Sequence, residues 1–242
     1  MLRRILLGVA LLLVLGGAGA WLVLRHFEQA NQRASLDPAY FEDAIRAFEA
    51  ADRASPPAPG AIVLVGSSSI RLWDTLERDL APLRTLERGF GGAHMAHVLH
   101  NAERIVIACR PSAVVVYAGD NDLADGTGKT AEDVARDFRA LLAKLRTAIP
   151  ELPVYFVTIK PSRLRWDRWP EMERANRLIA ALAERDPRLA VLDVATPMLS
   201  GRAGPPDASL FRLDGLHLSD EGYALWTSVI RPRLLADLPP AG

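Results

Sequence analysis

Short apolar runs alternate with longer amphipathic segments along most of the chain, and this alternation predicts a fold built from strands and helices. The run Ala113–Tyr117 is apolar at every position and rich in valine. A strand that is apolar on both faces is typical of a parallel sheet covered by helices on both sides. The predicted strands are residues 61–65, 84–88, 113–118, 153–159 and 189–193.

The segments between these strands have the periodicity of helices that bury one face. An apolar stripe covers residues 134–149, and Thr130 followed by Asp133 is typical of a helix start. Pro170 opens another helix, and Ser219 begins the last one. Strands that alternate with helices predict an α/β fold, a three-layer α/β/α sandwich around a five-stranded parallel sheet.

One further helix is predicted ahead of the first strand. Asp37 and Pro38 supply a helix cap and a first-turn proline. Apolar residues then recur at helical spacing from Phe41 to about Arg53. We therefore expect an amphipathic helix that starts at Asp37 and lies outside the sheet.

The start of the chain has a different pattern. From Ile5 to Leu24 there are 20 residues without a charge, about the length of a helix that crosses a bilayer. A short basic tail before this run favours an inner-membrane anchor with the folded domain in the periplasm. Ala18-Gly19-Ala20 resembles a signal-peptidase site, so a cleaved signal that releases the domain into the periplasm is the alternative. The predicted division is a membrane anchor or uncleaved signal over 1–27, a tether and amphipathic helix over 28–59, and the main domain over 60–238.

Composition narrows the classes of partner. The 29 basic and 29 acidic side chains cancel, so no overall field favours nucleic acid, and no nucleic-acid partner is expected. The chain has one cysteine, Cys109, which excludes an internal disulfide and a cysteine cluster that holds a metal. The apolar N-terminal run makes a membrane an expected partner.

Two of the loops that follow predicted strands are rich in glycine or serine. In open parallel sheets ligands bind beyond the carboxyl ends of the strands. The loop at Gly66 continues with three serines, which either cap a helix or include a nucleophile. The loop from Gly89 to Gly92 is either a simple turn or a place where backbone N–H groups approach a negative oxygen.

The other two loops carry polar side chains suited to acyl chemistry. Asn121 lies between two aspartates after the third strand, where such residues are common turn formers but an amide could also stabilise a negative oxygen. Asp214 and His217 precede the last helix. At this spacing they can hydrogen-bond to each other, as the acid and base of a serine hydrolase do.

The four loops, in this order, resemble those of the SGNH subgroup of the GDSL esterase/lipase family, and the resemblance covers about residues 60 to 236. It implies a flavodoxin-like α/β/α fold, hydrolysis of an ester through an acyl-enzyme, and no metal or organic cofactor. The implied triad is Ser68, His217 and Asp214. The implied oxyanion hole consists of Ser68, Gly92 and Asn121.

One residue departs from the family's usual pattern. Ser67 stands where the family's motif has an aspartate before the nucleophile. That aspartate belongs to the scaffold of the loop rather than to proton transfer, so the change leaves the implied chemistry in place. With Ser68 as the nucleophile, Ser69 is expected to cap the helix that follows.

The sequence is compatible with more than one class of substrate. The expected reaction is hydrolysis of a lipid ester, such as a lysophospholipid, or of another small carboxylic ester at the cell envelope. The alternatives are removal of O-acetyl groups from an envelope polysaccharide and a non-catalytic binding domain that retains the fold. The side chains that could contact substrate are those of His94, Arg163, Arg165 and Trp166. The last three also fit an ordinary solvated loop.

Overall fold

Five parallel strands form one sheet in the computed structural model, which describes residues 37–201 and 203–238. Their order is β2-β1-β3-β4-β5. The bounds are β1 Ile62–Gly66, β2 Thr85–Gly89, β3 Ala113–Tyr117, β4 Val154–Val157 and β5 Leu189–Leu192. All four pairings are parallel, which confirms the predicted sheet.

The fourth strand is shorter than predicted. It was expected over 153–159 but ends at Val157. The side chain of Asn176 accepts from the backbone N–H of Ile159 at 2.7 Å and donates to its carbonyl at 2.9 Å. A side chain on a neighbouring helix therefore replaces the adjacent strand as the partner of this backbone, and the ladder stops.

Helices fill the connections between the strands. The α-helices are α1 Glu42–Ala54, α2 Ser68–Arg71, α3 Leu76–Leu80, α4 Met95–Ile105, α5 Ala131–Ala148, α6 Trp169–Ala183, α7 Ala195–Leu199 and α8 Asp220–Asp237. Within the part of the chain that the structure describes, three short 3-10 helices cover Ile107–Cys109, Trp166–Arg168 and Ala208–Leu210. Thr130 and Asp133 cap α5 reciprocally, and the Ser219 hydroxyl accepts from Gly222 at the start of α8.

Two predicted helix starts are wrong. The first helix begins at Glu42 rather than at Asp37, because the Asp37 carboxylate closes a short turn by accepting from the N–H of Ala39 at 2.9 Å. In the serine loop the N-cap is Ser67 rather than Ser69, and Ser68 is the first residue of α2.

The strands separate two apolar cores. Val63 and Val65 pack on the side of α1, α4, α5 and α6, whereas Ile62 and Leu64 pack on the side of α2, α3, α7 and α8. Residues that alternate along one strand thus serve opposite faces, and the three-layer sandwich is confirmed. Ile45 of α1 is completely buried in the first core, so this helix is part of the folded unit.

No helix within 37–201 and 203–238 combines the length and the apolar character needed to traverse a bilayer. The predicted anchor over 5–24 and most of the predicted tether lie outside the described residues.

Candidate active site

The first loop places Ser68 at the carboxyl edge of the sheet. A Cβ at Gly66 would overlap the carbonyl oxygen of Tyr117 on the neighbouring strand, so only glycine fits at this position. The next N–H, that of Ser67, donates to the same carbonyl at 3.0 Å. The chain then turns directly into α2, which leaves Ser68 on the first turn with its side chain almost fully buried.

Ser68, His217 and Asp214 form one hydrogen-bonded chain. His217 Nε2 lies 3.1 Å from Ser68 Oγ, and His217 Nδ1 lies 2.6 Å from Asp214 Oδ2. A carboxylate can only accept, so Nδ1 carries the proton and Nε2 presents a lone pair to the serine hydroxyl. The arrangement leaves a base in contact with the serine and a carboxylate behind the base.

The carboxylate of Asp214 is fixed by backbone as well as by the imidazole. Its Oδ1 accepts from the N–H groups of Leu216 and His217, each at 2.9 Å. Partial burial raises the pKa of Asp214, but the hydrogen bonds from the His217 ring and from the two N–H groups outweigh it and lower the pKa below its usual value. Asp214 therefore stays ionised beside the imidazole.

The loop that carries His217 is fastened to the segment after β4. The carbonyl of Gly215 accepts from the N–H groups of Arg163 and Leu164, each at 3.0 Å. Gly215 has a positive φ of 65°, which suits glycine, and a Cβ there would lie 3.3 Å from the Cβ of Arg163. These contacts hold the histidine over the first loop.

The second and third loops are joined through Asn121. Its amide nitrogen donates to the carbonyl of Ala93 at 3.1 Å, and its oxygen accepts from Arg165 Nη2 at 3.1 Å. Gly92, next to Ala93, has a positive φ of 88°. The structure therefore brings Asn121 and the Gly92 loop together at the edge where Ser68 lies.

A buried charged cluster, formed by Asp120, Lys160 and Arg165, lies beneath these loops. Asp120 Oδ2 is 3.3 Å from Lys160 Nζ and 3.6 Å from Arg165 Nη1, and its Oδ1 accepts from the Ser67 hydroxyl at 3.4 Å. Burial raises the pKa of Asp120, yet the charges of Lys160 and Arg165 hold it below its usual value. Burial also lowers the pKa of Lys160, against the attraction of Asp120.

This cluster supplies a carboxylate to the loop that has serine rather than aspartate at position 67. The hydroxyl of Ser67 reaches the carboxylate of Asp120, which comes from the third loop. A carboxylate is thus still present beside the residue that precedes Ser68. The sequence predictions did not include this cluster, and its only signal there is that Asp120 and Lys160 each follow an apolar strand closely.

His94 does not reach substrate directly. The residue is completely buried, and its Nδ1 lies 3.2 Å from Lys129 Nζ. Burial, reinforced by the charge of Lys129, lowers the pKa of His94 to about 3, so the ring is neutral. The prediction that His94 contacts substrate is wrong, because the ring is enclosed at the start of α4, where it forms a capping box with His97.

The predicted contacts on the segment after β4 separate into different roles. Arg165 is mostly buried against Asp120 and Asn121 and cannot serve as a free substrate contact. Arg163 is exposed and donates to the carbonyl of Pro206 at 2.9 Å. Trp166 is partly exposed at the start of a 3-10 helix. Among the described residues, neither the Arg163 nor the Trp166 side chain is hydrogen-bonded to Ser68, His217 or Asp214.

Two leucines at this edge were not predicted. Leu164 is 53 % exposed and Leu213 is fully exposed. Leu164 is bonded through its backbone to Gly215, and Leu213 directly precedes Asp214, so both leucines flank the loop of His217. The sequence signal for this exposed apolar pair was one leucine in each of two loops rich in polar residues.

Solved structures of other proteins share the fold. A GDSL-like lipase from Bacteroides thetaiotaomicron is 18% identical with a TM-score of 0.71, and 80% of this chain aligns with 98% of that one. A lipase/acylhydrolase from Enterococcus faecalis is 22% identical with a TM-score of 0.63, covering 76% of this chain and 99% of that one. A carbohydrate esterase family 3 protein from Talaromyces cellulolyticus is 17% identical with a TM-score of 0.59, covering 76% and 100%.

Sequence comparison gives the family. No curated protein matches the chain. The model of the GDSL-like Lipase/Acylhydrolase family, in contrast, matches residues 65–225, a span that contains the serine loop, the Gly92 loop, Asn121 and the loop of His217. The chain therefore belongs to the GDSL-like lipase/acylhydrolase family and is a carboxylic ester hydrolase.

Proposed function

We propose that this protein hydrolyses esters through a covalent acyl-enzyme on Ser68. The observation that carries the proposal is the hydrogen-bonded chain from Ser68 Oγ through His217 to Asp214, with distances of 3.1 and 2.6 Å. These residues are 149 and 3 positions apart in the sequence. A serine held against an imidazole that a carboxylate orients is the arrangement that activates a hydroxyl for attack.

The reaction has two halves. Ser68 Oγ attacks the ester carbonyl while His217 Nε2 takes the hydroxyl proton, and the Asp214 carboxylate stabilises the imidazolium. When the tetrahedral intermediate collapses, the bond to the alcohol oxygen breaks and His217 protonates the departing alcohol. Water then attacks the acyl-serine with His217 again as base, and the carboxylic acid leaves as Ser68 regains its proton.

The negative oxygen of the intermediate is held by three donors in this proposal: the N–H of Ser68, the N–H of Gly92 and the side-chain amide of Asn121. The first N–H groups of a helix have no acceptor within the helix, which suits Ser68 at the start of α2. The contact between Asn121 and the Ala93 carbonyl supports a shared location for the other two donors.

Covalent labelling tests the nucleophile. The full chain in detergent is treated with a fluorophosphonate probe and assayed with p-nitrophenyl acetate. Wild type and Ser69→Ala are expected to be labelled and active, whereas Ser68→Ala is expected to lose both properties. Labelling that persists in Ser68→Ala removes the proposed nucleophile. A wild-type protein that is neither labelled nor active favours the non-catalytic binding domain instead.

The substrate class we propose is an ester with an apolar group, such as a lysophospholipid. The exposed side chains of Leu164 and Leu213 beside the His217 loop support this choice, since apolar atoms at a rim gain by covering hydrocarbon. O-acetylated polysaccharide is the competing class, and the solved carbohydrate esterase shares the fold with this chain. Initial rates on a panel of lysophospholipids and acetylated sugars separate the two, and faster turnover of acetylated sugars would reverse the assignment.

We also propose that residues 5–24 anchor the protein in the inner membrane, with the domain in the periplasm. The uncharged run of 20 residues and the basic tail before it support this location. The division into an anchor over 1–27, a tether and helix over 28–59 and a domain over 60–238 belongs to the same proposal. Mass spectrometry of the mature N-terminus and membrane fractionation test it, because a chain cleaved after Ala20 would be recovered in the soluble periplasm.

A further inference from the structure

Arg165 is bound to two oxygens of the third loop. Its Nη1 donates to the backbone carbonyl of Asp120 at 2.9 Å, and its Nη2 donates to Asn121 Oδ1 at 3.1 Å. A guanidinium has donors only, so the atom of the Asn121 amide that faces it must be the oxygen. On the other side the Ala93 carbonyl, which only accepts, takes an N–H of the same amide. The two neighbours together fix which way the amide points.

We propose that Arg165 is a positioning residue that holds the Asn121 amide with its N–H groups toward the Gly92 loop. The inference rests on the proposed function, in which that amide donates to the negative oxygen of the intermediate. An amide turned by half a rotation would present its own oxygen to that charge and repel it. A hydrogen bond from a cation to the amide oxygen also polarises the amide and strengthens its N–H as a donor.

The surroundings of Arg165 hold the guanidinium in place. The Asp120 carboxylate lies 3.6 Å from Nη1 and is itself bound by Lys160 at 3.3 Å and by the Ser67 hydroxyl at 3.4 Å. The side chain of Arg165 is only 16% exposed, so it has little freedom to swing to another acceptor. A donor fork fixed in this way can orient a neighbour more firmly than a single ammonium.

The same contacts distinguish this role from binding of substrate. Arg165 was a candidate substrate contact in the sequence, but both of its terminal nitrogens are bonded to protein oxygens. A residue that acts through Asn121 should lower the turnover number and leave the Michaelis constant nearly unchanged. A residue that binds substrate should mainly raise the Michaelis constant.

The test compares Arg165→Met and Arg165→Lys with wild type in full-length protein, with p-nitrophenyl acetate as substrate. Lysine keeps the charge but cannot reach both oxygens with a planar fork. We expect kcat to fall about 10- to 100-fold in both variants, as it does when a reacting group is misplaced, with KM changed by less than about twofold. Arg174→Met is the matched control, because Arg174 is an exposed arginine of α6 that pairs with Glu132.

A double-mutant cycle with Asn121→Ala supplies the decisive measurement. If Arg165 acts through the amide, adding Arg165→Met to Asn121→Ala should change kcat by less than about twofold, since the two losses are not independent. Should Arg165→Met fail to fold, the cycle is run with Arg165→Lys. Wild-type kcat in the Arg165 variants, or losses that multiply in the double variant, overturns the inference.

The two proposals fail differently in this experiment. If wild-type protein neither hydrolyses the ester nor reacts with a fluorophosphonate, the proposed function is wrong. If wild type is active and labelled but the Arg165 variants behave like wild type, the function stands and only the positioning role of Arg165 is lost.

Discussion

At the scale of single residues, the proposed chemistry depends on which nitrogen of His217 carries the proton. Asp214 Oδ2 lies 2.6 Å from Nδ1 and accepts from it, so Nε2 is left to act as base toward Ser68. The carboxylate does this without being protonated itself, because its pKa is held below the usual value by the His217 ring and two backbone N–H groups despite partial burial.

Replacing Asp214 by asparagine should therefore disable the base without unfolding the protein. The asparagine side chain can donate to Nδ1, which favours the tautomer with its proton on Nε2. We expect kcat for p-nitrophenyl acetate to fall by about 10²- to 10⁴-fold, as in other triads where the aspartate is replaced. The melting temperature should stay near that of wild type, and a kcat within tenfold of wild type would contradict the role given to Asp214.

Protonation of Asp214 should not limit activity until the pH is lower than the ordinary pKa of an aspartate. The lowered pKa means that the folded protein favours the ionised form. This contribution to stability is complete above the pKa of the unfolded chain and is lost as the pH falls through the lower folded value. Titration of the Asp214 carboxyl carbon by NMR, with Asp214→Asn used to assign its signal, measures this pKa, and a value at or above that of an ordinary aspartate would contradict the prediction.

The buried pair of Asp120 and Lys160 gives a third prediction at this scale, on the free energy of unfolding. Lys160→Met removes the cation 3.3 Å from a buried carboxylate and leaves Arg165, at 3.6 Å, as its remaining cation. Loss of one member of a buried pair costs about 3 kcal/mol of unfolding free energy. Denaturant titration measures it. Lys144→Met is the control, because Lys144 is partly exposed and 3.9 Å from the exposed Glu103. An equal loss of unfolding free energy in both variants would show that the buried pair contributes no more to stability than the exposed one.

At the scale of elements, the pattern of apolar positions predicted all five strands, and most ends differ from the structure by a single residue. For β1, β3 and β4 the success has a physical reason: these strands are buried along their whole length, and strands buried on both faces need continuous apolar runs. The errors fall where a particular side chain decides the end. Asn176 ends β4 early, and the turn closed by Asp37 delays α1.

The N-terminal cap of α5 was predicted correctly from the sequence. The Thr130 hydroxyl accepts from the N–H of Asp133, and the Asp133 carboxylate accepts from the N–H of Thr130 at 2.9 Å. Thr130→Ala should lower the unfolding free energy by about 1 kcal/mol, because a helix N–H loses its acceptor. Thr147→Ala, at the other end of the same helix, is the comparison. Equal changes in denaturation midpoint for the two variants would argue against the cap.

At the scale of the whole molecule, the site exists only because the fold brings distant loops to one edge of the sheet. Ser68 and His217 are 149 positions apart, and Asp120 and Lys160 are 40 apart. The resemblance to a known family named the first pair, and the structure places its side chains within hydrogen-bonding distance. Periodicity could not have paired Asp120 with Lys160, Arg165 and Ser67, because that contact depends on the paths of three loops.

The distribution of exposed apolar side chains follows the same edge. Among residues 37–201 and 203–238, the exposed large hydrophobic side chains are those of Tyr40, Leu164 and Leu213. Tyr40 packs on Phe41 with ring centroids 5.0 Å apart, and a Cβ at Gly92 would lie 3.5 Å from the Phe41 ring. Leu164 and Leu213 flank the His217 loop. Leu164 and Leu213 therefore border the proposed site, where an apolar substrate or a lipid surface would cover them.

These two leucines lead to a prediction about the length of the substrate's acyl chain. The prediction tests binding by the leucines separately from the chemistry of the triad. Leu164→Ser combined with Leu213→Ser should lower kcat/KM for a p-nitrophenyl ester with a long acyl chain by about tenfold, since losing even half of the benefit of burying two leucines amounts to about 1.4 kcal/mol. The same variant should hydrolyse p-nitrophenyl acetate at the wild-type rate, because an acetyl group is too short to extend past Ser68 to these leucines. The acetate ester thus serves as the internal control for folding and for the triad. Equal losses on both esters would assign the leucines to the support of the His217 loop, and no loss on either would favour a polar substrate such as an acetylated sugar.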